Sequence, residues 1–390
     1  MSKLPHRVAL LCCVILAGPL HAQEPTPIVQ IVDELPASLT EVDLAVPESP
    51  AFTALDLTPE TVTRPASPRQ FAIDVLTGLD PNGNFQAGLA LDAVPWLLLR
   101  GNDLTIKDYE NSLAQRLASR FLLSAATTKG TDSDDTSVKM ALGFRLTPID
   151  DGDPRLDQEL RRCLKRSVIP QPEDYKTLQE YKVAVERAEV DAEASVEQCH
   201  EEAKQRNWNR TAWDLGAAPT WIQKQGTSDQ TQWNGATFWS SFAYGFAGTA
   251  LEKTSQLVLG LRYQLDQETP DPDQHDTFFR QDTLLAGARM RVGRPNLSVS
   301  LDGSYLYEDP ADRSTRSGFR GALSSNFRIP GDYQVWVNVG VGATVGLGSD
   351  DRVFILGALK WGGQTISASQ VVGALCAAGA DTGICPSATR

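Results

Sequence analysis

From residue 71 to residue 361 the chain consists largely of short segments in which apolar residues alternate with small or polar ones, and turn-rich stretches separate them. In the stretch LSVSLDGSYLY, residues 297–307, one face carries Leu, Val, Leu, Gly and two Tyr, whereas the other is mostly Ser and Asp. An alternation with period two predicts β-strands with one apolar face. Most segments run about 10 residues, which is the length of a tilted strand that crosses a bilayer. The twelve segments begin near Phe71, Phe85, Leu117, Val138, Ala212, Ala236, Gln256, Thr283, Leu297, Phe319, Tyr333 and Val353.

Two folds are compatible with such strands. A soluble β-sandwich would bury the apolar face and expose the polar one. A membrane barrel would do the reverse, and three features favour it. The polar faces are rich in Gly, Ala and Ser, which are poor choices for a strand face in water. Several aromatic residues lie near the ends of the apolar runs, where interfacial girdles form, and the number of strands is even.

This pattern resembles the bacterial outer-membrane β-barrel proteins as a class. The resemblance covers about residues 71–361 and implies an all-β fold, a transmembrane antiparallel β-barrel of about twelve strands with outer-membrane lipids around it. It also implies location in the outer membrane of a Gram-negative cell. The last segment, VFILGALKW, ends on the aromatic Trp361, as final strands of the class do, but 29 residues follow it.

The N-terminal region indicates export. Lys3 and Arg7 precede a short apolar run, and Ala22 offers a small residue for cleavage, so residues 1–23 are predicted to be a Sec-type signal peptide. Residues 24–69 are rich in Pro, Ser, Thr and acidic residues without a sustained period, which predicts a disordered leader.

The barrel domain is expected to span residues 70–361 and to contain one helical insert, residues 149–210, between strands 4 and 5. Residues 174–207 contain neither Gly nor Pro and are dominated by good helix formers. Residues 100–112 are expected to form a modest loop, and residues 362–390 a C-terminal tail. If the chain starts in the periplasm, the insert and the tail are periplasmic. The insert is then either a solvated charged helix or an arm that binds a periplasmic protein or a cell-wall partner.

The mature chain would retain four cysteines in an oxidising compartment, which suggests disulfides rather than catalytic thiols. Proximity in sequence favours the pairs Cys163 with Cys199 and Cys376 with Cys385.

The composition argues against several kinds of chemistry. The formal net charge of -13 gives no broad basic surface, so nucleic acid is not an expected partner. Only His200 and His275 remain after the signal, and neither is expected on the barrel wall, where a Ser-His-Asp site would need one. The sequence contains no phosphate-binding glycine loop, and we expect no metal and no cofactor. The chain is therefore not expected to be an enzyme.

The inward faces of the predicted strands carry an excess of basic residues. Charges next to a low-dielectric wall must be paired or hydrated. They form either a set of ion pairs that hold a closed barrel together or a water-filled path that favours anions. Inward glycines in VGVGATVG leave room for long arginines on other strands. The predicted pore-lining residues are nine basic ones, Arg120, Lys139, Arg145, Arg262, Arg289, Arg291, Arg320, Arg328 and Lys360, and four acidic ones, Asp74, Asp92, Asp214 and Asp302.

Three functions remain open at this point. A porin-like passive channel for small anionic solutes is the first expectation. A non-conducting structural barrel that anchors the helical arm to a partner is the alternative. An outer-membrane lipid-modifying enzyme ranks below both, because the histidine it would need is missing from the predicted strands.

Overall fold

The structure is a computed structural model. It describes residues 37–40, 48–55, 71–79, 85–100, 104–129, 137–166, 177–223, 231–246, 248–271, 274–311, 313–330, 333–346, 352–364 and 371. The predicted signal peptide, almost all of the predicted tail and the Cys376–Cys385 pair lie outside these ranges.

Twelve antiparallel strands close into a single barrel in which each strand pairs with its neighbours in sequence and β1 pairs with β12. The predicted strand number and barrel class are therefore confirmed. Closure removes both sheet edges, so the described strands leave no exposed edge. The strands are β1 (Phe71–Leu79), β2 (Phe85–Ala93), β3 (Phe121–Lys129), β4 (Val138–Asp150), β5 (Ala212–Gln223), β6 (Gln232–Gly245), β7 (Ser255–Asp271), β8 (Gln274–Arg294), β9 (Leu297–Pro310), β10 (Arg316–Ile329), β11 (Tyr333–Val345) and β12 (Arg352–Gln364).

The two faces of the strands are the reverse of those in a soluble protein. On β9, Leu301 is 64% exposed and the neighbouring Asp302 is 3% exposed. The alternation continues along the strand, where Ser298 and Ser300 are buried while Leu297 and Val299 are exposed. The same arrangement recurs on β7, so apolar side chains form the outside of the barrel and polar ones its inside. A soluble sandwich, which would bury the apolar face, is wrong for this chain.

Aromatic pairs mark both ends of the wall. Trp221 and Trp233 pack edge to face at one end of the β5–β6 hairpin, and Tyr244 packs in the same way on Phe246 at the other end. This distribution matches the girdles of aromatic residues that flank the apolar band of transmembrane barrels.

All helices except the first, which lies inside the barrel, cluster at one end, which we call the helical end. It is the end at which β1 begins and β12 finishes, and the connections β2–β3 and β4–β5 both lie there. The helices are α1 (Pro50–Ala54), α2 (Pro95–Arg100), α3 (Ile106–Asn111), α4 (Leu113–Ser119), α5 (Gln158–Arg166) and α6 (Leu178–Asn207), with short 3-10 turns at Ala37–Thr40 and Pro154–Leu156. Among the described residues, no helix is both long and apolar enough to cross a bilayer.

The prediction of a modest loop over residues 100–112 is wrong, because α3 and α4 fill much of this connection. The hydroxyl of Thr105 accepts a hydrogen bond from the backbone N–H of Asp108 and caps α3, and Ser112 caps α4 by accepting one from Gln115. Since α4 continues to Ser119, β3 begins at Phe121 rather than near Leu117.

The helical insert between β4 and β5 is confirmed. Its main helix, α6, has 30 residues and is about 45 Å long. The predicted disulfide Cys163–Cys199 is also confirmed, and it joins α5 to the C-terminal part of α6 with the two Cα atoms 5.7 Å apart. Close to the barrel, Asp157 accepts hydrogen bonds from Arg206 and Asn207, so the base of the insert is fixed by both covalent and polar contacts.

At the end opposite the helices, β7 and β8 extend beyond the other strands. The turn-rich stretch DQETPDPDQHD, residues 266–276, largely continues the hairpin, and Glu268 is paired with Arg280. A bulge between Gln264 and Gln267 places Asp266 at a φ of 55°, and ion pairing of Arg280 with Asp266 at 2.7 Å holds the extension.

The prediction of a disordered leader is wrong for residues 37–40 and 48–55. The backbone N–H of Ala37 donates a hydrogen bond to the carbonyl oxygen of Leu104 at the helical end, where Ala37 and Thr40 are buried. Residues 48–55 lie deeper, inside the barrel. Their composition gives no periodic signal, yet contacts with the barrel wall supply the stabilisation that the segment itself lacks.

Candidate functional site: the filled lumen

The lumen contains the segment 48–55, Glu-Ser-Pro-Ala-Phe-Thr-Ala-Leu, which we call the plug segment. Pro50 starts the short helix α1, where its missing N–H and fixed φ are tolerated. Every residue from Glu48 to Ala54 is buried. A helix of five residues is not stable alone in water, so its order depends on the surrounding wall.

Hydrogen bonds attach the plug segment to the wall along its length. Near the helical end, the Ser49 hydroxyl donates to Asp92 Oδ1 at 2.8 Å, and the Ala51 N–H donates to Ser124 Oγ at 2.8 Å. Farther into the barrel, Arg262 Nη1 donates to the Thr53 carbonyl oxygen at 3.2 Å.

The deepest described contacts are made by the carbonyl oxygen of Ala54. It accepts from Gln264 Nε2 at 3.3 Å and from Thr237 Oγ1 at 3.4 Å. The described segment therefore runs from near the helical end to the middle of the barrel, with polar contacts to several strands.

Small residues on β2–β5 form the surface on which the plug segment packs, and we call this surface the small-residue wall. At two positions a Cβ added to glycine would press directly on the plug segment. A Cβ atom on Gly143 would lie 2.6 Å from Pro50 Cβ and 2.7 Å from the Ala51 nitrogen, and one on Gly88 would lie 3.0 Å from the Phe52 ring. The members of this wall are Gly88, Ala90, Ala126, Ala141, Gly143 and Ala218, and the alanines belong to one buried apolar cluster with Ala51, Phe52 and Ala54.

Strands β8–β12 fill their part of the lumen with their own long side chains, and we call this surface the large-residue wall. The guanidinium of Arg320 lies 4.6 Å from the centre of the Phe354 ring, and Phe354 in turn occupies the space beside Gly342. The expectation that glycines make room for arginines is thus met only indirectly, because an aromatic ring lies between them. The members of this wall are Arg289, Arg291, Arg320, Arg328, Trp336, Phe354 and Lys360.

The structure places most of the predicted lumen residues inside the barrel. Ten are buried and three, Lys139, Arg320 and Arg328, are half-buried. Acids and bases are paired across neighbouring strands: Arg289 lies 3.4 Å from Asp302, Arg145 lies 3.6 Å from Asp214, and Asp74 is opposite Lys360 in the register. Their role in lining a conducting pore remains a prediction.

Arg120 has a different environment from the other predicted lumen residues. It follows α4 at the helical end, where its guanidinium pairs with Asp153 at 2.9 Å. Asp153 also accepts hydrogen bonds from Tyr109 and Arg155, and Arg155 stacks on the Tyr109 ring at 4.4 Å. Burial alone would raise the pKa of Asp153, but the charges of Arg155 and Arg120 outweigh it and hold that pKa well below its usual range. Burial raises the pKa of Tyr109.

The insert also contributes to closure of the helical end. Trp208 at the end of α6 is buried, donates through Nε1 to the Lys253 carbonyl oxygen at 3.2 Å, and lies 4.6 Å from the guanidinium of Arg291. Gln256 Nε2 donates to the Arg210 carbonyl oxygen at 2.8 Å. The insert is thus joined to the large-residue wall at its base.

Neither remaining histidine lies at an inward position in the middle of the barrel. His200 is on α6, and His275 is in the extension of β8. Within the described ranges, no group of three or more His, Cys, Asp or Glu residues is arranged to hold a metal ion.

Solved structures similar to this chain include several barrels. The NanC porin covers 75% of this chain and all of its own at 8% identity and a TM-score of 0.37. The CymD monoaromatic hydrocarbon channel covers 86% of this chain and 98% of its own at 7% identity and a TM-score of 0.33. The outer membrane channel DcaP of Acinetobacter baumannii covers 72% of this chain and 63% of its own at 8% identity and a TM-score of 0.29. No family model and no curated protein matches the sequence. The assignment of a closed barrel rests on the strand pairing of this chain itself.

Sequence reasoning missed the plug segment. The available signal was the uneven distribution of inward residues: small residues predominate on β2–β5, whereas arginines lie mainly on β7–β10. A wall of Gly and Ala leaves a space that another part of the chain must fill, since protein interiors are close-packed.

Proposed function

We propose that this chain is an outer-membrane β-barrel that conducts small anionic solutes when the plug segment leaves the lumen. The observation that carries the proposal is the reversed barrel: an apolar outside suits lipid, and the inside carries more Arg and Lys than Asp and Glu. The plug segment packs on the small-residue wall, and in this proposal that arrangement is the closed state of the channel.

Two features support a removable plug. Hydrogen bonds and packing hold the segment to the wall without a covalent link, and the segment extends only to the middle of the barrel. Its only acidic side chain, Glu48, meets a wall with an excess of basic groups. When it leaves, that excess increases by one charge.

Conductance in planar bilayers tests the proposal. The full chain should show rare openings. A variant whose residues 48–55 are replaced by an equally long Gly-Ser sequence should conduct steadily and favour chloride over potassium in a salt gradient. Gel electrophoresis of unboiled and boiled samples would verify that the variant folds as a barrel, because a folded barrel migrates differently until it is boiled. A folded variant that favours cations would contradict the anion preference.

A non-conducting barrel that anchors the helical insert is the second candidate. The burial of ten predicted lumen residues and the fixed base of α6 favour it. It would be supported if the Gly-Ser variant folds and carries no current, and if deletion of residues 155–207 from the full chain removes a cellular phenotype that the intact chain supports.

A further inference from the structure

The side chain of Glu48 is the one carboxylate of the plug segment, and it is 4% exposed. A carboxylate taken out of water needs cationic partners and hydrogen-bond donors to remain charged. Arg289 Nη1 lies 3.6 Å from Glu48 Oε1, and Arg145 Nη1 donates to the Glu48 carbonyl oxygen at 3.4 Å. Both arginines are themselves almost fully buried.

These arginines belong to the wall rather than to the plug segment. Arg145 is on β4 and pairs with Asp214, and Arg289 is on β8 and pairs with Asp302. Strand pairing fixes all four residues, so the donors remain in position when the plug segment leaves. Their guanidinium groups have planar sets of N–H donors that suit a carboxylate.

We infer that Arg289, with Arg145 beside it, forms a binding site for the carboxylate of a small organic acid, and that the carboxylate of Glu48 occupies this site as a tethered substitute. The inference rests on the proposed function, because only a conducting lumen would carry an acid past the site. It names the solute class, small monocarboxylates.

The neighbouring acids define the charge that the site accepts. Asp214 and Asp302 already balance the charges of the two arginines. The site accepts one further negative charge, because the carboxylate of Glu48 lies in it. A doubly charged anion would bring a second negative charge close to these aspartates, which costs free energy at short range. Inorganic phosphate should therefore bind less well than a carboxylate.

The test uses the Glu48→Ala variant of the full chain, which lacks the atoms of an acetate ion. Calorimetric titration with sodium acetate should show saturable binding at least roughly tenfold tighter than to the wild-type chain, whose site is occupied. Adding Arg289→Gln to Glu48→Ala should weaken that binding by a similar factor. Acetamide, which has the same shape without the charge, should not compete.

A matched control is Arg328→Gln in the Glu48→Ala chain, which removes one lumen charge on β10 without touching the contacts of Glu48. Acetate affinity should change far less than with Arg289→Gln. If both substitutions weaken acetate equally, or if phosphate binds as tightly as acetate, binding follows net charge alone and the carboxylate site is wrong. Equal acetate affinity of the wild-type and Glu48→Ala chains would also overturn it.

The two proposals fail in different ways. If the Gly-Ser variant conducts chloride and Glu48→Ala does not bind acetate, the carboxylate site is wrong and the channel stands. If Glu48→Ala binds acetate and none of the folded variants conducts, the site stands and the channel is wrong. Arg289→Lys in the Glu48→Ala chain keeps the charge but loses the planar donors, and intermediate binding is expected.

Discussion

The two walls of the lumen solve the same packing problem in different ways. The large-residue wall fills its space with its own side chains, and stacking of Arg320 on Phe354 beside Gly342 is an example. The small-residue wall cannot do so, and it packs against a segment that lies upstream of the barrel in sequence. A wall that fills itself is permanent, whereas a wall filled by a separate segment can be emptied. If the channel opens as proposed, the position of the small residues determines where the lumen empties.

The largest effect is expected at the helical end, which both walls share. Asp153→Asn removes the negative charge that pairs with Arg120 and Arg155 and replaces one acceptor oxygen by a donor, and breaking such a buried pair costs about 3–5 kcal/mol. The 3-10 turn that Asp153 caps contacts the ordered turn Ala37–Thr40 of the leader, so plug retention should weaken as well. Thermal unfolding at pH 7 measures the loss of stability, and Asp151→Asn at an exposed neighbouring position is the control.

The pH dependence of this effect follows from the lowered pKa of Asp153. A carboxyl group whose pKa is lowered by folding contributes its stabilisation above its unfolded pKa of about 3.9 and loses it as the pH falls toward the folded value. The difference in stability between the wild-type chain and Asp153→Asn should therefore be full at pH 7 and shrink below about pH 4. A difference that stays constant down to pH 2 would contradict the buried ion pair.

The next effect compares one glycine from each wall. Gly143→Ala places a Cβ against Pro50 and the Ala51 backbone, and Gly342→Ala places one against Phe354. Overpacking costs about 1–3 kcal/mol at either position. Only Gly143→Ala directs that cost at the plug segment, so the open fraction should rise roughly 5- to 150-fold in bilayer recordings.

Two controls accompany this comparison. Gly342→Ala should lower the unfolding temperature without raising the open fraction. Gly303→Ala, at a site with open space around the added Cβ, should change neither quantity. Equal opening by Gly143→Ala and Gly342→Ala would remove the distinction between the walls.

A smaller effect is expected from the charges of the large-residue wall once the plug segment is displaced. Arg320→Glu with Arg328→Glu, made in the Gly143→Ala chain, reverses two half-buried charges on β10. Rings of basic residues favour anions, so the reversal potential in a salt gradient should move toward that of potassium. Arg313→Glu in the exposed loop after β9 is the control and should change the reversal potential little. An unchanged reversal potential in the double variant would show that this wall does not select ions.

The smallest effect on conductance is expected from the insert. Cys163→Ser with Cys199→Ser removes the link between α5 and α6, and a disulfide of this kind contributes about 2–4 kcal/mol to the segment it closes. Proteolysis of the insert should become faster, while conductance and the migration of the unboiled barrel should stay as in the wild-type chain. A change in conductance would contradict this prediction and would show that the insert affects the lumen.

The barrel could be predicted because its signal is repeated in every strand. Alternation such as Leu301 next to Asp302 identifies both faces, and the Cys163–Cys199 pair follows from export and proximity. The helices α3 and α4 were missed although Thr105 and Ser112 precede them as caps, because short capped turns give weak periodicity. The plug segment could not be found from its own residues, since contacts with Gly143, Ser124 and Arg262 determine its structure.

Photo-crosslinking from residue 52 in intact cells tests the central claim, that residues 48–55 fill the lumen. With p-benzoylphenylalanine in place of Phe52, the account predicts intramolecular products on β2 near Gly88, whose Cβ position adjoins the ring, and on β3 near Thr128, which is opposite Gly88 in the register. Gly143→Ala should reduce these products. Crosslinks of residue 52 to lipid or to other proteins, with no product on β2 or β3 in the wild-type chain, would contradict the account.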